Sequence, residues 1–245
     1  MKSIINSFIA ILIVAFSAKA QQTPAPKQSQ TISIVGATAH IGNGEIVENA
    51  LVIFKDGKIQ SVTSLDDTSM QPEGKVINAQ GKHVYPGFIA PNSTLGLVEI
   101  DAVKASDDED EIGNYLPHIR SIIAYNAESK IVESMRPNGV LIGQITPRGG
   151  RISGTSSIVQ FDAWNWEDAI LKEDDGLHIN WPRNFSYSWR EGSYSPNKKY
   201  KEQMDELSLF FKKAHAYHKS NSEKINTVFE AMKSVFEGDK KVFVH

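Results

Sequence analysis

The chain has 245 residues, of which 40% are hydrophobic and 22% charged, and this ordinary globular composition excludes a disordered or collagen-like protein. Its formal net charge of −3 gives no reason to expect nucleic acid as a partner. The chain contains no cysteine, which excludes disulfides, thiolate metal sites and cysteine nucleophiles.

The first twenty residues have the pattern of a secretory signal peptide. Lys2 precedes an apolar core from Phe8 to Phe16, and Ala18-Lys19-Ala20 is a small-x-small cleavage site. The apolar core is shorter than the ~20 residues that span a bilayer, so a stable membrane anchor is not expected. Residues 21–30 are rich in Gln, Pro and Thr and are predicted to form a flexible leader. The sequence therefore predicts export to the periplasm or the medium.

Residues 31–85 are predicted to form a small β domain. Turn signals at Gly42-Asn-Gly44 and Asp56-Gly57 separate short β-branched runs. These runs are Thr31–Val35, Ala50–Phe54, Lys58–Val62 and Lys75–Asn78.

Residues 86–245 show an alternation of helical and strand patterns. Helices are predicted over Pro117–Met135, Asn197–Ser220 and Ser222–Glu237, and strands over Gly139–Ile145 and Gly238–His245. A helix, a glycine stop and an apolar strand in succession are typical of an α/β barrel.

Three segments resemble the amidohydrolase superfamily, in its imidazolonepropionase-like branch of metal-dependent hydrolases with a composite domain. The run Gly81-Lys-His-Val-Tyr-Pro-Gly-Phe-Ile89 is similar to the entry of the catalytic barrel, and Pro147–Phe161 and Lys240–His245 are similar to a later loop and strand. The resemblance implies an α/β fold in which part of a small β-sandwich precedes an incomplete (β/α)8 TIM-type barrel over residues 86–245. Because a closed barrel needs more residues than follow Pro86, we expect a truncated product or fragment.

The resemblance also implies candidate metal ligands. In the family a His-x-His pair closes the first barrel strand, where residues i and i+2 share one face and can hold one cation. Asn92 and Thr94 stand at those two positions, and His245 matches a metal-binding histidine at the end of a later strand. The implied cofactor is a divalent metal, zinc first, but amide and hydroxyl oxygens are poor zinc ligands. Weak metal binding is therefore expected, and no catalytic residue is assigned.

All four tryptophans lie in one segment that has no clear periodicity. Aromatic side chains with polar atoms can line a ligand cleft, or they can form the satellite core of a long insertion. The candidate substrate contacts are Trp164, Trp166, Trp181 and Trp189.

The functional expectation is a hydrolase of non-peptide C–N bonds, including amide, cyclic amide and dipeptide-like bonds. The alternatives are a non-catalytic protein that binds a small molecule or peptide on the same barrel, and an inactive fragment. The expected partner is a small molecule or short peptide, and homo-oligomerisation stays open.

Overall fold

A computed structural model describes residues 24–67, 69–220 and 224–245. The predicted signal peptide lies outside these residues. The described chain divides into two compact units, Pro24–Phe88 and Ile89–His245. In the described part, no helix has the length and apolar character needed to cross a membrane.

The first unit is a five-stranded sheet. Its strands are β1 (Ile32–His40), β2 (Ile46–Lys55), β3 (Lys58–Ser64), β4 (Lys75–Asn78) and β5 (His83–Val84). Strands β1, β2 and β3 form an antiparallel meander, while β4 and β5 both pair with β1 in parallel. The four strands predicted in this region are confirmed as β1, β2, β3 and β4.

The second unit is built on another five-stranded sheet. The strands along the chain are β6 (Phe88–Ser93), β7 (Val140–Ile145), β8 (Ile152–Gln160), β9 (Ile170–Ile179), β10 (Phe185–Ser188), β11 (Ser193–Pro196) and β12 (Lys241–Val244). The sheet order is β12-β9-β8-β7-β6, and β10 and β11 form a separate hairpin. The strands predicted over Gly139–Ile145 and Gly238–His245 are confirmed as β7 and β12.

The α/β class is confirmed, but a closed TIM-type barrel is not formed by the described residues. The sheet is open and mixed: β8 runs antiparallel to β7 and β9, whereas β12 runs parallel to β9. Only residues 146–151 connect β7 to β8. A parallel connection needs a crossover of about a dozen residues or more, so this short loop can only return the chain antiparallel.

In its described residues, the second unit also contains five α-helices of four to twenty residues. They are α1 (Lys130–Met135), α2 (Trp166–Ala169), α3 (Tyr200–Lys219), α4 (Thr227–Glu230) and α5 (Lys233–Glu237). The helix predicted over Asn197–Ser220 is confirmed as α3.

Two helix predictions are wrong in extent. The helix predicted over Pro117–Met135 is a 3₁₀ turn at Ser121–Ala124 followed by α1. The hydroxyl of Ser129 accepts a hydrogen bond from the Val132 amide, so Ser129 starts a new helix instead of continuing one. The helix predicted over Ser222–Glu237 begins outside the described residues, and from residue 224 onward the structure divides it into α4, which Asn226 caps, and α5, which follows Met232.

Candidate functional site

Strand β9 carries a buried histidine and lies between β12 and β8 in the sheet. Leu177 and Ile179 belong to the apolar cluster that includes Leu207 of α3. Because side chains alternate along a strand, His178 between them faces the other side of the sheet. There its ring stacks on Phe243 of β12 with 4.9 Å between ring centroids.

A chain of hydrogen bonds runs through His178. Its Nδ1 lies 2.8 Å from Nε2 of His245, and its Nε2 lies 2.7 Å from Oγ of Ser156. The Ser156 hydroxyl donates to Oδ1 of Asp175 over 2.7 Å, and Oδ2 of Asp175 accepts from the Gln144 amide over 3.0 Å. His178, Ser156, Asp175 and Gln144 are all buried.

The Asp175 carboxylate sets the direction of every proton in this chain. A carboxylate only accepts, so the Ser156 hydroxyl donates to it and must accept from Nε2–H of His178. Nδ1 of His178 is then an acceptor, and Nε2–H of His245 donates to it. The network therefore fixes both histidine tautomers without a charged imidazole.

The electrostatic environment also keeps both histidines neutral. The pKa of His178 is lowered from 6.5 to about 3, mainly by burial, with smaller contributions from the neighbouring His245 and the charge of Arg148. Burial and then Arg148 also lower the pKa of His245. At neutral pH the exposed ring of His245 is thus an uncharged proton acceptor or donor.

Arg148 places a fixed positive charge beside the strand that was expected to carry the metal ligands. Its Nη1 donates to Oδ1 of Asn92 over 2.5 Å and its Nη2 to the Asn92 carbonyl over 2.8 Å. The Asn92 amide N–H donates to Oε1 of Gln144 over 3.1 Å. Arg148 is thus tied to the network through two residues.

Asn92 adopts a left-handed backbone conformation with φ of 49°. Asparagine tolerates this region better than most residues, and a residue there interrupts the alternation of side chains along a strand. Strand β6 ends at Ser93, so Thr94 lies beyond it. The two-residue spacing used to interpret Asn92 and Thr94 as a ligand pair therefore does not place them on one extended strand, and their metal-binding role stays a prediction.

Three of the four predicted tryptophans flank β9, and the fourth lies in the β10–β11 hairpin. Trp164 and Trp166 precede β9, and Trp166 packs against the apolar cluster around Phe161. Trp181 follows β9 and donates its backbone N–H to the His245 carbonyl over 2.8 Å. Trp189 lies in the turn of the β10–β11 hairpin. Their substrate contacts stay a prediction, with Trp181 adjacent to the network.

Sequence reasoning missed β9 and with it most of this site. Four consecutive charged residues, Lys172–Asp175, hide the strand pattern, and the segment was interpreted as an irregular insertion. The alternation Leu177-His178-Ile179, with a polar residue between two apolar ones, is the signal that could have revealed it.

The described residues do not fit a tightly held divalent metal. They contain no group of three His, Cys, Asp or Glu side chains placed to bind one ion. Nδ1 of His178 and Nε2 of His245 are hydrogen bonded to each other, and the Asn92 side-chain oxygen is bonded to a guanidinium. A fixed positive charge at that oxygen opposes a dication.

Comparison with known proteins gives a structural match without a sequence match. No family model matches the sequence, and no curated protein matches it. An amidohydrolase from Thermotoga maritima MSB8 is similar over 87% of this chain, with a TM-score of 0.73 and 20% identity. Molinate hydrolase is 36% identical over only 29% of this chain and 15% of its own length, with a TM-score of 0.25, which is too low to inform the fold.

The fold is therefore similar to one part of the Thermotoga protein. The chain spans 57% of the length of the Thermotoga protein.

Proposed function

We propose that the chain is part of an exported hydrolase of the amidohydrolase type, acting on non-peptide C–N bonds of small molecules or short peptides. Amides, cyclic amides and dipeptide-like compounds are the substrate classes that the sequence resemblance favours. The fold similarity supports the hydrolase class. The signal-peptide pattern of residues 1–20 supports export.

The observation that carries the proposal is the combination of Arg148 with His245. Amide hydrolysis needs a group that stabilises negative charge on the carbonyl oxygen and a group that moves a proton from water. Arg148 uses two nitrogens on Asn92, and its guanidinium has further N–H donors for a carbonyl or carboxylate oxygen. His245 is neutral and exposed, and its charge state responds to Arg148.

The remaining residues position these two groups. His178 fixes the orientation of the His245 ring, and the Ser156–Asp175 pair fixes His178. When His245 takes up a proton, its Nε2–H still donates to Nδ1 of His178, so the hydrogen-bonded network can share the positive charge. A substrate carboxylate would be attracted by the Arg148 guanidinium, which favours acylated amino acids and dipeptide-like compounds.

The resemblance to metal-dependent hydrolases implies a divalent metal, with zinc first, which would activate water and polarise the carbonyl. Because the described residues do not fit it, we assign no step to it in this chain. The double change Asn92→His with Thr94→His, made together with Arg148→Met, should raise zinc affinity only weakly, because the opposing charge is removed but the two imidazoles do not lie on one extended strand. Elemental analysis after dialysis against a chelator measures this, and stoichiometric zinc in the unmodified chain would overturn the assignment.

Turnover and binding by the purified chain test the proposal. The substrates are a panel of N-acyl amino acids, cyclic amides and dipeptides, with amine release as the readout and calorimetry as the binding measurement. Arg148→Met should abolish binding, while His245→Asn should abolish turnover and leave binding within about twofold, because a neutral amide cannot take the proton. Full activity of His245→Asn would overturn the assigned role.

A second candidate function is favoured by the Arg148–Asn92 contact. A guanidinium held at the position expected for a metal suits a protein that binds carboxylates without hydrolysing them. In that case calorimetry would detect ligands that Arg148→Met loses, while no compound in the panel is turned over. The two candidates are therefore separated by the same experiment.

A further inference from the structure

The β10–β11 hairpin has two chemically different faces. Its cross-strand pairs are Phe185 with Pro196, Ser186 with Ser195, Tyr187 with Tyr194, and Ser188 with Ser193. Because paired residues of an antiparallel ladder share a face, one face carries only aromatic rings and proline and the other only serines.

The aromatic residues of the hairpin are largely exposed in the described chain. Trp189 is 89% exposed, Tyr194 75% and Phe185 58%. The rings contact mainly each other: Tyr187 meets Trp189 edge-on at 5.0 Å and Tyr194 at 4.9 Å. The hairpin pairs with no other strand of the described chain, and such a two-stranded sheet is marginally stable in water. An exposed aromatic face of this kind indicates an external contact.

The surroundings of the hairpin are basic. Arg183 precedes it, Arg190 lies in its turn, and Lys198 and Lys199 follow it, against the single acid Glu191. Within the described chain, none of the four basic side chains forms an ion pair. The positive charge is therefore available to an external anion.

We propose that this hairpin is a reversible docking surface for an anionic lipid bilayer. Tyrosine and tryptophan prefer the boundary between lipid head groups and acyl chains, because their rings are apolar at one end and polar at the other. Arginine and lysine beside such rings extend towards lipid phosphates. The aromatic rings supply the apolar contact with the bilayer. The four basic residues supply charge that is complementary to the lipid phosphates, while the serine face stays in water.

A second copy of the chain and a nucleic acid are the two alternative occupants. A second copy of the chain would bring the same four positive charges against each other, which opposes association. A single-stranded nucleic acid would also use the charge, and the oligonucleotide test below separates it from a bilayer. The docking surface shares no residue with the hydrogen-bonded network, but it includes Trp189, one of the predicted substrate contacts.

Vesicle sedimentation of the full chain tests the proposal. The probes are phosphatidylcholine vesicles with and without a quarter of phosphatidylglycerol, at low and high salt. The double variant Trp189→Ala with Tyr194→Ala should lose at least about tenfold in partitioning, since burial of one aromatic side chain corresponds to roughly that factor or more. Trp164→Ala is the matched control, because Trp164 is also exposed but lies outside the hairpin.

Substitutions of the basic residues and tryptophan emission provide a second test of the proposal. Lys198→Gln with Lys199→Gln should weaken binding by roughly fivefold per charge, and high salt should weaken it further. Tryptophan emission of the unmodified chain should shift to shorter wavelength when phosphatidylglycerol vesicles are added. That shift should persist in Trp164→Phe and vanish in Trp189→Phe, which keeps a ring in place and so preserves the hairpin.

Three results would overturn the proposal. They are absence of sedimentation with any vesicle, equal sedimentation of the folded double aromatic variant and the unmodified chain, and an emission shift that survives Trp189→Phe. Capture of a single-stranded oligonucleotide without vesicle binding would identify a nucleic-acid surface instead.

Discussion

Acidification should destabilise the second unit through His178. In the folded chain the pKa of His178 is lowered to about 3, and burial is the main cause. In the unfolded chain the same histidine has its ordinary pKa of 6.5. Between these two values the unfolded state binds more protons than the folded state. The free energy of unfolding therefore falls as the pH drops below 6.5 and is fully retained above it.

The size of the effect follows from the two pKa values. Each pH unit inside the window costs at most about 1.4 kcal/mol for one histidine. Lowering the pH from 7 to 5 should thus cost up to about 2 kcal/mol, a sizeable part of the ~5–15 kcal/mol that stabilises a domain. His245, whose pKa is also lowered, adds a contribution of the same sign.

Urea unfolding at pH 7, 6 and 5 measures the slope. The unmodified chain is compared with His178→Gln, which removes the titrating ring, and with His215→Gln, which removes an exposed ring of α3. The first variant should be less stable at pH 7 but show a flatter pH profile, and the second should keep the full slope. Parallel profiles for all three proteins would refute the assignment of the buried histidine.

Three further predictions concern single positions. Ser156→Ala should lower the free energy of unfolding by about 2–5 kcal/mol, because it removes a hydroxyl from the buried Asp175 carboxylate, and an unchanged urea midpoint would contradict this. Gly176→Ala should lower the melting temperature, since an added methyl group would overlap the ring of Phe243 and cost about 1–3 kcal/mol; a retained Tm would show that the ring can move aside. Mass spectrometry of protein recovered from the cell envelope should find Gln21 as the first residue, and retention of the first twenty residues would disprove the signal peptide.

The sequence predicted those strands and helices whose own residues show a clear β-branched or amphipathic pattern. The β-branched runs of the first unit, the long amphipathic α3 and the terminal β12 all fall in this class. Helix boundaries were less predictable. A capping side chain such as Ser129 starts a new helix, but the spacing of the apolar residues continues through it, so the pattern does not show the boundary.

The candidate site could be predicted only in part, because its residues come from strands that meet through tertiary pairing. His245 was identified from the terminal strand, but its partner His178 lies 67 residues earlier in the chain. The contact between Arg148 and Asn92 spans 56 residues. No local sequence pattern predicts either contact, since both depend on the order of strands in the sheet.

Strand β12 lies at one edge of the sheet that the described residues form, and this position has a consequence for the order of assembly. Residues 180–240 separate β12 from its partner β9, so their parallel pairing closes a long loop. Long-range parallel pairing is entropically costly and slow, and edge strands open more readily than central ones. The histidine pair should thus form late in folding and separate early in local opening, so that amide hydrogens of β12 exchange before those of β8. Every transient release of this strand would remove His245 from its partner while the rest of the sheet stays folded.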